Sequence, residues 1–213
     1  YLAWHFKVSK IHAEKVTLDS KYYLDSRYLS AISHYALGDI TRGEELLESL
    51  REYMVKNGIK NKNLESLTAI NLARIKFMKD KFREALPLYG KIDKSHSSWL
   101  QGLTEQGWAQ LMVDDYAGAI GNMYSLHSPY FKAVYKPETY VVRTIGYLNI
   151  CQYGDAYKTL TRLEHKYRPW LSQVQSYIEN KKLAKNYFHT VKSYLSGKSS
   201  RNVDGLPYQV IRE

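Results

Sequence analysis

Seven histidines, one cysteine and two Ser–His neighbourhoods are the side chains of this 213-residue chain with the most obvious chemical potential. The histidines, at 5, 12, 34, 96, 127, 165 and 189, include no helical pair with an intervening Glu and no Cys partner, so they lack the spacing of a zinc site. Ser98 lies near His96 and Ser128 follows His127. A nucleophile and its base face one another across distant segments, and such neighbours do not have that geometry. Cys151 falls at the predicted end of a helix without a base beside it and reads as a small packed hydrophobe. The acidic pairs Asp114–Asp115 and Glu44–Glu45 fall at turns or helix starts, where carboxylates complement the helix dipole. SGKSS at 196–200 has the look of a phosphate loop, yet Lys192 stands where the first Gly is needed and no strand precedes it. The chain therefore reads as a non-enzyme, with no cofactor and no metal.

Composition is that of an ordinary folded protein, with 44% hydrophobic and 24% charged residues. No apolar run approaches the roughly 18 residues of a membrane span. The chain begins at Tyr1, with no targeting segment in view, and is expected to be a processed or excised fragment. One cysteine precludes an internal disulfide and fits either a reducing cytosol or an exported protein. The net charge of +10 favours acidic partners. The basic residues are densest late in the chain, at Lys181, Lys182, Lys185 and Lys192, which makes binding of a polyanion or membrane surface there the alternative function.

If no residue set supports catalysis, the function must lie in what the elements build. The segments LGDITRGEELL, MKDKFREALPLY, MVDDYAGAIGNM and ICQYGDAYKTL share a polar turn, an apolar or aromatic residue, a small residue three further on, and a helical run. The small residues are Gly43, Ala85, Ala119 and Ala156, and Ile40, Phe82, Tyr116 and Tyr153 precede them. They are spaced by 42, 34 and 37 residues. A period of about 34 is that of a helix–turn–helix repeat, in which a small residue lets two helices approach. Ala31, Ala73, Gly107 and Thr144 supply the matching close-contact point about twelve residues upstream of each.

On these residues the chain resembles the tetratricopeptide repeat superfamily across residues 22–169. Arg27, Ala69, Leu103 and Tyr140 stand where that family prefers Trp, which marks the repeats as divergent. The resemblance implies an all-α, right-handed α-solenoid of antiparallel helix hairpins. A single domain would span 1–195, with repeats at 22–56, 64–95, 98–127 and 137–169 and capping helices at 171–195; 196–213 would be a linker or the start of a further segment. The last repeat is also similar to segments of bacterial cell-envelope repeat proteins, which favours an envelope location over the cytoplasm.

The family's first helices line a concave face, which implies another protein as partner, laid along it. That mapping brings Tyr28, Tyr35, Arg74, Phe77, Met78, Trp108 and Met112 inward, with Ile32, Ile70, Leu111, Val141, Ile145 and Leu148 beside them. Aromatic anchors and adaptable methionines suit a peptide groove, with Arg74 reading an acidic group. Asp25, Tyr28, Ile32, Gln101 and Glu105 occupy the positions at which chaperone-tail repeats clamp a terminal carboxylate, so that ligand is not expected. LHSPYFKAVYKPETY, residues 126–140, reads as a lengthened connector whose Tyr130 and Phe131 either seal the gap between hairpins or add contacts at the groove edge. Arg143 maps to a hairpin interior and is expected to pair with Glu138, Asp155 or an acid of a neighbouring unit.

Overall fold

The computed structural model describes residues 5–131, 136–180, 186–196, 202–203 and 206–207. Its helices are α1 (Phe6–Glu14), α2 (Tyr23–Ala36), α3 (Ile40–Lys56), α4 (Lys62–Met78), α5 (Phe82–Tyr89), α6 (Trp99–Leu111), α7 (Tyr116–Leu126), α8 (Glu138–Asn149), α9 (Tyr153–Glu179) and α10 (Tyr187–Leu195). A short 3-10 turn, Pro129–Phe131, follows α7. The chain forms two compact units, Tyr1–Asp114 and Asp115–Glu213, where the sequence suggests one domain. The repeat expected at 98–127 is divided between them, with α6 in the first and α7 in the second.

In the first unit α1 packs on α2, α2 on α3, α3 on α4, α4 on α5 and α5 on α6. The small residues lie at the crossings: Ala31, Ala73 and Ala85 are 0% exposed. A Cβ on Gly43 would stand 3.1 Å from the carbonyl oxygen of Ala31, so α2 and α3 approach as far as backbone allows. Around them Leu47, Ile70, Leu72, Ile75 and Leu88 form the core. At α1, His34 has Glu14 at 3.2 Å and Asp39 at 3.0 Å, and Arg27 donates to the Ala13 carbonyl.

In the second unit α7 packs on α8 and α8 on α9. Ala119, Ala156 and Thr144 are buried, as the repeat pattern requires. The sequence reading ends the last repeat at 169 and starts a capping helix at 171, whereas α9 runs unbroken to Glu179 with Pro169 inside it. α10 then buries Tyr177 through Val191 and Tyr194. Within the stretch read as a linker, Asn202–Val203 pairs antiparallel with Leu206–Pro207.

The hairpin turns carry a regularity that composition hides. Gly38, Asp80, Asp114 and Cys151 each lie two residues before a second helix, and each has positive φ (89°, 58°, 64° and 59°). At three of these turns the next residue donates back five positions, Asp39 to His34, Lys81 to Lys76 and Gln152 to Tyr147, a bond that needs a left-handed residue before the donor. Cys151 is therefore a solvent-exposed turn residue, not the packed hydrophobe its sequence suggests. A β-carbon is strained in this conformation. Cys151→Gly should stabilise the protein by about 0.5 kcal/mol in urea unfolding. A loss of similar size would mean that the sulfur makes a contact that outweighs the strain.

Candidate functional site

Five of the residues mapped inward share one cavity of about 470 Å³ in the first unit. Tyr35 from α2, Arg74, Phe77 and Met78 from α4, and Trp108 from α6 line it, joined by Tyr89 from α5 and Glu105 from α6. Helical spacing explains the grouping, because Arg74, Phe77 and Met78 recur at three and four residues, as Glu105 and Trp108 do. The walls are held from behind. The Tyr35 hydroxyl donates to Met78 Sδ at 3.1 Å, and Phe77 meets Phe82 edge-on at 5.0 Å between centroids.

Arg74 does not await an acidic ligand, contrary to the sequence reading. Its Nε and Nη2 donate to the Glu105 carboxylate at 2.9 and 2.7 Å. Gln101 donates to the same carboxylate at 3.0 Å. Burial, followed by the negative charge of Glu105, pushes the Tyr89 pKa well up. The hydrogen bond from Arg74 raises the guanidinium pKa in turn. The ion pair thus satisfies itself, and what remains open to a ligand is mainly aromatic and thioether surface. Glu105 was recoverable from sequence, since it stands three residues before Trp108 and four after Gln101. Tyr89 was not, because it belongs to a second helix.

Tyr28 lies elsewhere: its ring packs on the core, and its hydroxyl accepts from Asn71 Nδ2 at 3.0 Å. Ile32, Ile70 and Leu111 are core residues, and Met112 is exposed outside the cavity. A larger recess of about 650 Å³ on the α3, α4 and α5 side mixes Arg51, Lys56 and Lys91 with Glu52 and Glu65. It lacks aromatic walls, and Glu65 already caps α4 through the Asn61 amide.

In the second unit Arg143 is buried as expected, at 5% exposure, but with different partners. It meets no carboxylate among the described residues. Its Nη1 lies 3.1 Å from His127 Nδ1, its Nη2 donates to the Tyr147 hydroxyl at 3.0 Å, and the guanidinium lies 4.5 Å from the Tyr124 ring centroid. Because a guanidinium only donates, His127 Nδ1 must accept, which places the imidazole proton on Nε2. From there it is directed at Thr139 Oγ1, 2.8 Å away, and Thr139 donates onward to the Lys136 carbonyl. His127 also stacks on Tyr140 at 3.8 Å. Tyr130 is 87% exposed and meets Phe131 edge-on.

The His127 pKa is lowered to about 4, first by burial, then by Arg143, Lys166 and Arg162. An ordinary His titrates near 6.5. As pH falls the unfolded chain takes up this proton first, so the stability that the neutral ring supports is complete above about 6.5 and drains away towards about 4. Wild type should therefore lose more thermal stability across that window than His127→Gln. Parallel pH profiles would exclude His127 as the cause.

Lys181, Lys182 and Lys185 lie outside the described residues, and Lys192 is exposed on α10. Asp115 caps α7 through the Gly118 amide, and Glu44 bridges Lys76 and Lys79 at the end of α4. Among the described residues no group of three or more His, Cys, Asp and Glu is placed to hold a metal ion. No helix among them is long and apolar enough to cross a membrane.

No family model and no curated protein matches the chain. Solved structures do. The chain is similar to a Podosopora anserina structure described as kinesin light chain nearly identical TPR-like repeats, with 17% identity, TM-score 0.58, and coverage of 76% of this chain and 82% of that one. It is also similar to MamA MSR-1, at 15% identity and TM-score 0.60, with coverage of 78% and 90%. For MamA AMB-1 the identity is 15% and the TM-score 0.60, with coverage of 78% and 92%.

Proposed function

From a divergent tetratricopeptide-like fold, an α-solenoid of antiparallel helix hairpins, we propose a non-catalytic scaffold that holds a segment of another protein. The segment anchors an apolar or aromatic side chain in the cavity of the first unit. The observation that carries this reading is the pairing of Arg74 with Glu105, which neutralises the charges among Tyr35, Phe77, Met78 and Trp108. A rigid aromatic pocket without unspent charge selects by shape and apolar contact.

Selection from a random peptide library tests it. The enriched sequences should share a Leu, Met, Phe or Trp anchor, and a selected peptide should bind a Phe77→Ala, Trp108→Ala double variant at least about tenfold more weakly. Helicity of the two proteins is matched by circular dichroism. Equal binding by the variant, or enrichment that yields no sequence with an apolar or aromatic anchor, would reject the cavity as the site.

A further inference from the structure

The second unit combines cations and aromatic rings in a region poor in acids. From Tyr116 to Pro137 the sequence contains no Asp or Glu. Lys166, half-buried on α9, has its ammonium 5.2 Å from the Tyr167 ring centroid and 5.8 Å from that of Tyr140. Burial lowers its pKa, and among the described residues no carboxylate restores the lost solvation. Arg162, one helical turn earlier, likewise meets no carboxylate among them, and it is close enough with Arg143 to act on both His127 and Tyr140. Neutral His127 directs its one proton at Thr139 and adds no negative charge. Among the described residues, then, no carboxylate pairs with Lys166, Arg162 or Arg143, and positive charge gathered in this way around the His127–Tyr140 stack is an arrangement that an incoming anion stabilises.

A recess is present at this point. Its walls include His127, Lys136, Thr139, Tyr140, Lys166 and Tyr167, and its volume is about 10 Å³. That is room for a water-sized group. We propose that this recess is a docking point for an acidic segment of a partner protein, with one carboxylate oxygen entering beside Lys166 while Arg162 and Arg143 supply the surrounding field. Against a nucleic-acid strand, the two tyrosine rings of the recess wall are already engaged, Tyr140 by His127 and Tyr167, and Tyr167 by Trp170. The site is built within the second unit and does not depend on the apolar cavity of the first.

The experiment is fluorescence anisotropy at low salt with a labelled peptide of alternating Glu and Ala. Its Gln–Ala counterpart and an oligothymidine are the comparison probes. Three proteins are used: wild type, Lys166→Met with Arg162→Met, and Lys158→Met with Arg168→Met, which removes the same charge from other positions on α9. The Glu peptide should bind wild type and the Lys158, Arg168 variant alike, and the Lys166, Arg162 variant about tenfold or more weakly. The Gln peptide should not bind. The proposal is overturned if the Glu peptide fails to bind, if both variants weaken it equally, or if oligothymidine binds more tightly with the same dependence on Lys166 and Arg162.

Discussion

Ala85→Leu should cost about 3 kcal/mol of unfolding free energy, whereas Ala36→Leu, also in the first unit, should change it by no more than about 0.5 kcal/mol. Ala85 is fully buried in the core cluster that α4 and α5 share, and Ala36 is exposed at the end of α2. Leu is nearly as good a helix former as Ala, so helix propensity contributes little to the difference. The cost arises because three added carbons at a closed crossing push two helices apart or force side chains off their rotamers. Urea unfolding followed by circular dichroism measures both variants. Similar small changes would mean that α4 and α5 have slack at Ala85, and the small-residue pattern would lose its physical meaning.

Arg143 separates two kinds of burial. Arg143→Ala should cost about 3 kcal/mol, because it leaves a cavity beside Tyr124 and Tyr147 and removes the donor to His127 Nδ1. Arg143→Met loses the same donor but leaves little cavity, and should cost about 1–2 kcal/mol. Met fills much of the same volume, its sulfur packs well against rings, and no buried acid is left behind. The pair of variants tests the main correction to the sequence reading. An Arg neutralised by Glu138 or Asp155 would orphan that acid in either variant, and the two losses would then be alike. Losing the cation also removes one cause of the low His127 pKa, so Arg143→Met should flatten the acid side of the stability profile.

Periodic features of the fold are legible in the sequence because each follows from one helix's own geometry. A small residue is needed wherever two helices cross closely, so Gly43, Ala85, Ala119 and Ala156 could be placed by pattern alone. The residues before them, Ile40, Phe82, Tyr116 and Tyr153, are the first residues of α3, α5, α7 and α9. Three- and four-residue spacing likewise put Arg74, Phe77 and Met78 on one face, and the structure finds them in one cavity.

Partnership between helices was not legible. Arg74 and Glu105 are 31 residues apart, and Tyr28 and Asn71 are 43 apart. Whether such groups meet depends on the rotation and axial offset of one helix against the next, which the whole packed interface sets and no single segment encodes. For the same reason Arg143 could be assigned to the interior from sequence, while the partners it found there, His127, Tyr147 and Tyr124, could not. Cys151 and α9 show the complementary limit. A thiol occupies a left-handed turn that elsewhere holds Gly or Asp, and a helix continues through Pro169, because the surrounding structure outweighs a local preference of about 1–3 kcal/mol. The sequence by itself determined the helix hairpins, their order and the small residues at their crossings. Only the tertiary structure decided which charges cancel, and therefore which surface is left for a partner.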